Sequence, residues 1–304
     1  MRSPLVGPED RLGPGLHTLG PGVWITSGRS VVLEGADHLA LVDPGDEPFG
    51  NPAAPTGPLA ELRRLERETG KVLSWILVTH SHPDHVANLS VLRAAAPDAR
   101  VVAHRGGPLE ADLSVGRRVW LELGGGVEAI PTPGHSAAGD DLSFWRPEGA
   151  LLLPGDLVQP KGETWGAAFY PSPWPYFTEP APYLRSLEGL SRLPFSVLAT
   201  GHREVRFEAQ ARAWLELTAR AIRRVGEEVA RWRGADDLAA AGPAIFRLLA
   251  EERGIPASEV ARRLAVDGQG TSPFQRFDLP GVTGYWARRC RRARGDAEDG
   301  LPGP

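Results

Sequence analysis

A single cysteine, Cys290, stands in the 304 residues of the chain. No internal disulfide can form, and thiolate zinc sites and iron–sulfur clusters are excluded by ligand count. A disulfide-free chain is the norm in reducing compartments, so a cytoplasmic location is expected. Lysine is almost as scarce. All but two of the 34 basic residues are arginine, the exceptions being Lys71 and Lys161. With 36 glycines and 29 prolines, this bias reads as GC-rich coding rather than as a binding signature. No run reaches the ~18 uninterrupted apolar residues of a membrane helix. The opening "MRSPLVGPEDRLGPG" has no apolar secretion-signal core, so neither membrane nor export is expected. A formal net charge of −4 gives no global attraction to nucleic acid, although the balance shifts mildly positive from Arg203 onward.

What is present is a succession of short apolar runs parted by Gly/Pro turns. "GVWIT" (22–26), "SVVLEG" (30–35), "HLALVD" (38–43), "VLSWILVTH" (72–80) and "ARVVAH" (99–104) read as strands, as do "VEAIPT" (127–132), "DLSFW" (141–145), "ALLLPGD" (150–156) and "SVLATGH" (196–202). Helical spacing appears between them. Leu59, Leu62 and Leu65 share a face in 58–70, residues 84–97 read as one helix, and 182–193 repeats Leu at helical intervals. Strands alternating with helices predict a layered α/β domain. From about residue 207 the pattern turns wholly helical, with Ala211, Trp214, Leu215, Thr218 and Ile222 on one stripe of a long amphipathic helix. The expected division is a catalytic domain over 15–206, a small, mainly helical C-terminal domain over 207–294, and a disordered tail over 295–304.

The chemistry concentrates in "HSHPDH", residues 80–85. His80 and His82 leave a strand two residues apart and can face the same side, while Asp84 and His85 open a helix. Imidazole and carboxylate ligands suit zinc, and also iron or manganese. Further polar residues stand at strand ends beside Gly or Pro: Asp43 in "LALVDPG", His135 in "IPTPGHSAAGD", Asp156 in "LLLPGDLV" and His202 in "VLATGH". Five of the eight histidines fall in this set; His17, His38 and His104 do not, and read as surface or structural histidines.

In these residues the chain resembles the metallo-β-lactamase-fold hydrolases, whose pattern is a His-x-His-x-Asp-His cluster, a later His after Pro-Gly, a Gly-Asp and a Gly-His, preceded by a strand-ending Asp. The resemblance spans roughly residues 15–205. It implies a four-layer αββα sandwich with the site at one edge of two sheets. It also implies two divalent metal ions, zinc first, with His80, His82 and His135 on one, Asp84, His85 and His202 on the other, and Asp156 between them. Asp43 would orient ligands from behind, the support that ligating imidazoles require. Such a centre makes a metal-bridging hydroxide at neutral pH, with Asp84 as the catalytic group that orients it and takes its proton.

The substrate is less sharply marked, because one fold hosts many chemistries. Hydroxyacylglutathione hydrolases usually follow the cluster with a Gly pair, whereas Ala87 and Asn88 stand here. "PGHSAAGDDLSF" lacks the Cys typical of the one-iron persulfide dioxygenases. The Pro- and aromatic-rich stretch 159–183 carries Trp165, Phe169, Tyr170, Trp174, Tyr176 and Phe177, which would wall an apolar acyl or aryl pocket or else fix the stretch to the sheet. The expected reaction is hydrolysis of a small apolar ester, thioester or lactone. Residues 255–264 and 272–295, including "ARRCRRAR" (287–294), resemble a diverged winged-helix tail carried by a subgroup that includes a β-lactamase-like endoribonuclease. That makes a metal-dependent phosphodiesterase, with nucleic acid as partner, the alternative; the same helices would otherwise cap the cleft or a homodimer.

Overall fold

The computed structural model describes residues 15–45, 58–123, 125–136, 138–158, 180–231, 247 and 256–265. Strands β1 (His17–Gly20), β2 (Val23–Ile25), β3 (Val31–Glu34) and β4 (His38–Val42) form an antiparallel meander. Helix α1 (Pro58–Thr69) then crosses to β5 (Val72–Leu77), and β6 (Arg100–His104) and β7 (Leu113–Val115) follow, all in parallel pairing. Parallel neighbours need such crossovers; between β5 and β6 the connection carries two short helices, α2 (Pro83–Val86) and α3 (Leu89–Ala95). The result is a seven-stranded sheet in the order β1 to β7.

A second sheet holds β8 (Val119–Leu121), β9 (Val127–Pro131), β10 (Leu142–Arg146), β11 (Leu151–Leu153), β12 (Val197–Ala199) and β13 (Val205–Phe207), neighbours in chain order. Only β11 and β12 pair parallel in it, and α4 (Pro180–Ser191) lies between them in the chain. Helix α5 (Glu208–Arg231) follows β13, and α6 (Ala257–Leu264) is the last described element.

Three apolar clusters define the layers. The central one joins Val31, Leu33, Ala40, Val42 and Leu77 of the first sheet to Ala129, Leu142, Phe144, Leu151 and Leu153 of the second. Residues one position along point the other way, as a pleat requires. Val32, Leu39, Leu41 and Ile76 meet Leu62 and Leu65 of α1 and Leu92 of α3. Trp145, Leu152 and Leu198 meet Tyr183 and Leu187 of α4 and Trp214, Leu215 and Ile222 of α5. The architecture is therefore the expected αββα sandwich. Strands covered on both faces have no polar side to show, which is why they read as continuous apolar runs.

The expected helix over 84–97 is two helices, parted at Ala87 and Asn88. Asn88 N–H donates to the Pro44 carbonyl (2.8 Å), and its side-chain amide donates to the Gly45 carbonyl (3.2 Å). Those bonds tie the chain to the segment after β4 and interrupt the helical ladder. The expected C-terminal unit begins at residue 207, the last of β13, and the Ala211, Trp214, Leu215, Ala219 and Ile222 side chains of α5 pack onto the second sheet. Residues 287–294 and 295–304 lie outside the described residues. Among the described residues, no helix is long and apolar enough to cross a membrane.

Candidate metal centre

Strands β4 and β5 run parallel in one sheet, and β9, β11 and β12 run in a common direction in the other. The residues just past their C-terminal ends gather at one edge of the sandwich, where open α/β sheets place their sites. Asp43 follows β4, His80 follows β5, His135 follows β9, Asp156 follows β11 and His202 follows β12. The turn after β5 carries His82 directly into α2, which adds Asp84 and His85.

The seven proposed ligands meet as donor atoms. His82 Nδ1 lies 3.0 Å from His80 Nε2 and 3.1 Å from His135 Nε2, so three imidazole nitrogens converge. On the other side Asp84, His85 and His202 bring their donor atoms within 4.8 Å of one another. Asp156 stands between the two groups. Its Oδ2 accepts from His202 Nε2 at 2.7 Å and lies 3.7 Å from His135 Nε2, while its Oδ1 is 3.3 Å from His85 Nε2. Asp43 sits behind them: its Oδ1 accepts from Thr79 N–H, and its Oδ2 accepts from the Thr79 hydroxyl and from His85 Nδ1.

These bonds fix tautomers. With its own proton given to Asp43, the Thr79 hydroxyl is left to accept from His80 Nδ1, 3.0 Å away. His80 then turns an Nε2 lone pair toward the cluster, while His85 Nε2 faces Asp156 Oδ1 at 3.3 Å with Asp43 behind its Nδ1. Burial, helped by neighbouring imidazoles, lowers the pKa of His80 and His135, the latter to about 3. Burial lowers His82 as well. Their neutral, lone-pair form is the one a metal needs. Burial would also lower His85, but Asp156 and Asp43 outweigh it and raise His85 well above its ordinary value. Burial would raise Asp156, yet His202 and His85 hold its carboxyl well below the usual range.

The residues fit a metal on the structure's own terms. His85 Nε2 and Asp156 Oδ1 are buried and face each other at 3.3 Å without a hydrogen bond, and buried polar groups are seldom left so. Two neighbours make the close approach possible. A Cβ at Gly201 would fall 2.4 Å from both Asp156 Oδ1 and His85 Cε1, so only glycine fits beside them. Tyr183 OH donates to the Leu157 carbonyl and holds the turn that carries Asp156.

Three supports have no signature in the sequence pattern. Thr79 stands in the apolar run before His80 like an ordinary strand residue. Asp141 accepts from the N–H groups of Gly134, His135 and Ser136 at 2.9–3.1 Å and so shapes the turn that presents His135. Burial pushes its carboxyl up to about 7, against the pull of those N–H donors. Arg29, which donates to Asp84 Oδ2 at 2.7 Å, left no signal in the local sequence. The expected bystanders stay outside the ligand groups: His38 pairs with Asp37, and His104 accepts from Gly106 N–H. Trp165, Phe169, Tyr170, Trp174, Tyr176 and Phe177 lie outside the described residues.

Beyond its geometry, the chain matches a family model described as the metallo-beta-lactamase superfamily over residues 24–202, a span that holds every candidate ligand above. The chain belongs to the metallo-beta-lactamase superfamily. Among its superfamily relatives, a hydroxyacylglutathione hydrolase from Cereibacter sphaeroides is 40% identical over 111 residues, 35% of this chain and 41% of the relative. A hydroxyacylglutathione hydrolase from Albidiferax ferrireducens is 35% identical over 160 residues, 52% of this chain and 54% of the relative. The chain thus spans about half or less of these curated relatives. A solved metallo-beta-lactamase family protein from Thermus thermophilus superposes with a TM-score of 0.53 at 21% identity, covering 78% of this chain and 92% of that one. That likeness is one of superfamily fold.

Proposed function

We propose that the protein is a metal-dependent hydrolase that uses two divalent ions, zinc foremost, to cleave a small apolar ester, thioester or lactone. The observation that carries the reading is the convergence of seven metal-ligating side chains in one cluster, in which buried His85 Nε2 and Asp156 Oδ1 face each other at 3.3 Å without a hydrogen bond. His80, His82 and His135 would hold one ion and Asp84, His85 and His202 the other, with Asp156 shared. Ions bound there would supply Lewis acidity, lowering the pKa of water toward ~7 and drawing charge from a substrate carbonyl.

The chain's own part is orientation and proton transfer. Asp43 and Thr79 lock the rings of His80 and His85, and Asp141 sets the His135 turn. Asp84 is the open carboxylate of the set, its side chain 30% exposed against 6% for Asp156. It is placed to take the proton that water loses on attacking the acyl carbon and to return it to the departing thiolate or alkoxide as the acyl bond breaks. No serine or cysteine nucleophile is required.

The acyl choice is supported by relatives named for hydrolysing hydroxyacylglutathione, which is a thioester. Ala87 and Asn88 in place of a Gly pair, with only two lysines in the chain, argue against glutathione itself as the carrier. The aromatic residues of 165–177 are proposed to receive an apolar acyl group. A cytoplasmic setting accords with the single cysteine. The arginine run behind the phosphodiesterase alternative lies outside the described residues, so RNA enters as a comparison substrate. The test is a thioester, lactone and single-stranded RNA panel on wild type, His82→Ala and Asp156→Ala. Acyl turnover that is lost in both variants, together with bound metal, is expected. Turnover surviving both changes would end the proposal, and cleavage of RNA alone would replace the substrate.

A further inference from the structure

A groove of about 320 Å³ runs between α4 and the β8–β9 edge of the second sheet, and none of the candidate metal ligands lines it. Small-molecule sites occupy roughly 300–1,000 Å³, so the groove can hold a ligand of modest size. Ile130, Pro131 and Pro133 form its wall on the sheet side. Helix α4 supplies the facing wall from one stripe of helical spacing: Pro182, Arg185, Ser186, Gly189 and Leu190. Prolines have no N–H and hold the backbone stiffly, so the walls are largely apolar and preformed. The Ser186 hydroxyl is spent on the Pro133 carbonyl, to which it donates at 2.9 Å, tying the two walls together.

Gly189 keeps this space open. It lies in the last turn of α4 without a positive φ, and a Cβ there would meet nothing within 4 Å. Neither backbone nor packing asks for glycine at this position, and glycine weakens a helix relative to alanine. A larger side chain would stand in the groove. Two arginines border it. Arg118 is committed to Glu128 through Nε at 3.0 Å and Nη2 at 3.2 Å, which offsets its charge. Arg185 is exposed, and among the described residues no carboxylate pairs with it; its neighbour Glu188 is held by Arg192. An apolar slot beside one uncommitted guanidinium suits an apolar body with a single planar anion, whose two oxygens match the guanidinium fork.

We propose that this groove is a ligand site separate from the metal cluster, taking a small carboxylate with an apolar chain or ring. The proposed hydrolysis would release a molecule of that class, but the inference stands without that reading. The test is a saturation-transfer NMR titration of hexanoate with zinc-loaded full-length protein. Saturable binding is expected. Hexan-1-ol, which lacks the charge, and acetate, which lacks the chain, should each bind at least ~10-fold more weakly. Arg185→Gln should weaken hexanoate binding about 3–10-fold, and Gly189→Phe should abolish it. Gly189→Ala should raise the melting temperature by ~2–4 °C, and a fall instead would give the glycine a packing role and overturn the proposal. Hexanoate held on the metals would be matched by acetate and unmoved by Arg185→Gln and Gly189→Phe, and that result would overturn the proposal too. So would a wild type that binds no hexanoate but dimerises, with the dimer lost in Gly189→Phe, since a second copy would then fill the groove. If Gly189→Phe does not fold, Arg185→Gln and the hexan-1-ol comparison decide.

Discussion

At the residue scale the centre depends as much on what is missing as on what is present. Gly201 presses its bare Cα against Asp156 and His85, where a methyl group would sit 2.4 Å from each. Gly201→Ala should therefore push two ligands apart without exposing any core. The expected result is a 10–100-fold loss of metal affinity, the range seen when ligand supports are disturbed, with little change in the metal-free melting temperature. Metal titration and thermal melting of the same sample check both halves. The candidate ligands His80, His135, Asp156 and His202 are legible because each is a polar residue just past an apolar run, and His82, Asp84 and His85 because they crowd one short turn. Arg29 is not, because its 2.7 Å bond to Asp84 spans 55 residues and depends on how the turn between β2 and β3 folds back onto α2. Thr79 and Asp141 act through backbone and ring hydrogen bonds, which leave no spacing pattern in a sequence.

At the scale of elements, the break between α2 and α3 shows how the site is held from outside. Asn88 donates twice to the segment after β4, and a Cβ on Gly45 in that segment would meet the Asp84 carbonyl at 2.0 Å. The turn bearing Asp84 and the end of β4 are thus fitted against each other. Asn88→Ala should strip the amide bond and leave the buried Gly45 carbonyl short of a donor, costing about 1–3 kcal/mol by urea denaturation. A loss within ~0.5 kcal/mol would mean that water replaces the amide and the tie is dispensable. Helical spacing alone could not show this break, because Leu89 and Leu92 continue the apolar period of residues 84–97 across it. The strands divide in the same physical way. All nine that read as apolar runs were found, and the four that did not, β1, β7, β8 and β13, are the four sheet edges. Each has three or four residues and one open side, so little apolar sequence is needed to build it. The αββα layering itself was legible, since doubly covered strands and one-faced helices leave few other ways to bury their apolar surface.

At the scale of the whole molecule, the two sheets meet at the metal centre, with ligands from the ends of β5, β9, β11 and β12. A ligand set drawn from both halves of the sandwich makes metal binding a source of folding stability. A metal present at a thousand times its dissociation constant contributes about 4 kcal/mol, so chelation should lower the melting temperature on the order of 10 °C. His82→Ala should show a smaller drop, because the cluster has already lost a donor. The most direct measurement is metal content and acyl hydrolysis on one preparation, purified without added metal, before and after chelation and on zinc return. Between one and two equivalents of a divalent transition metal are expected, with thioester or lactone turnover lost on chelation and recovered with zinc. Full turnover by metal-free protein would contradict a metal-dependent hydrolase.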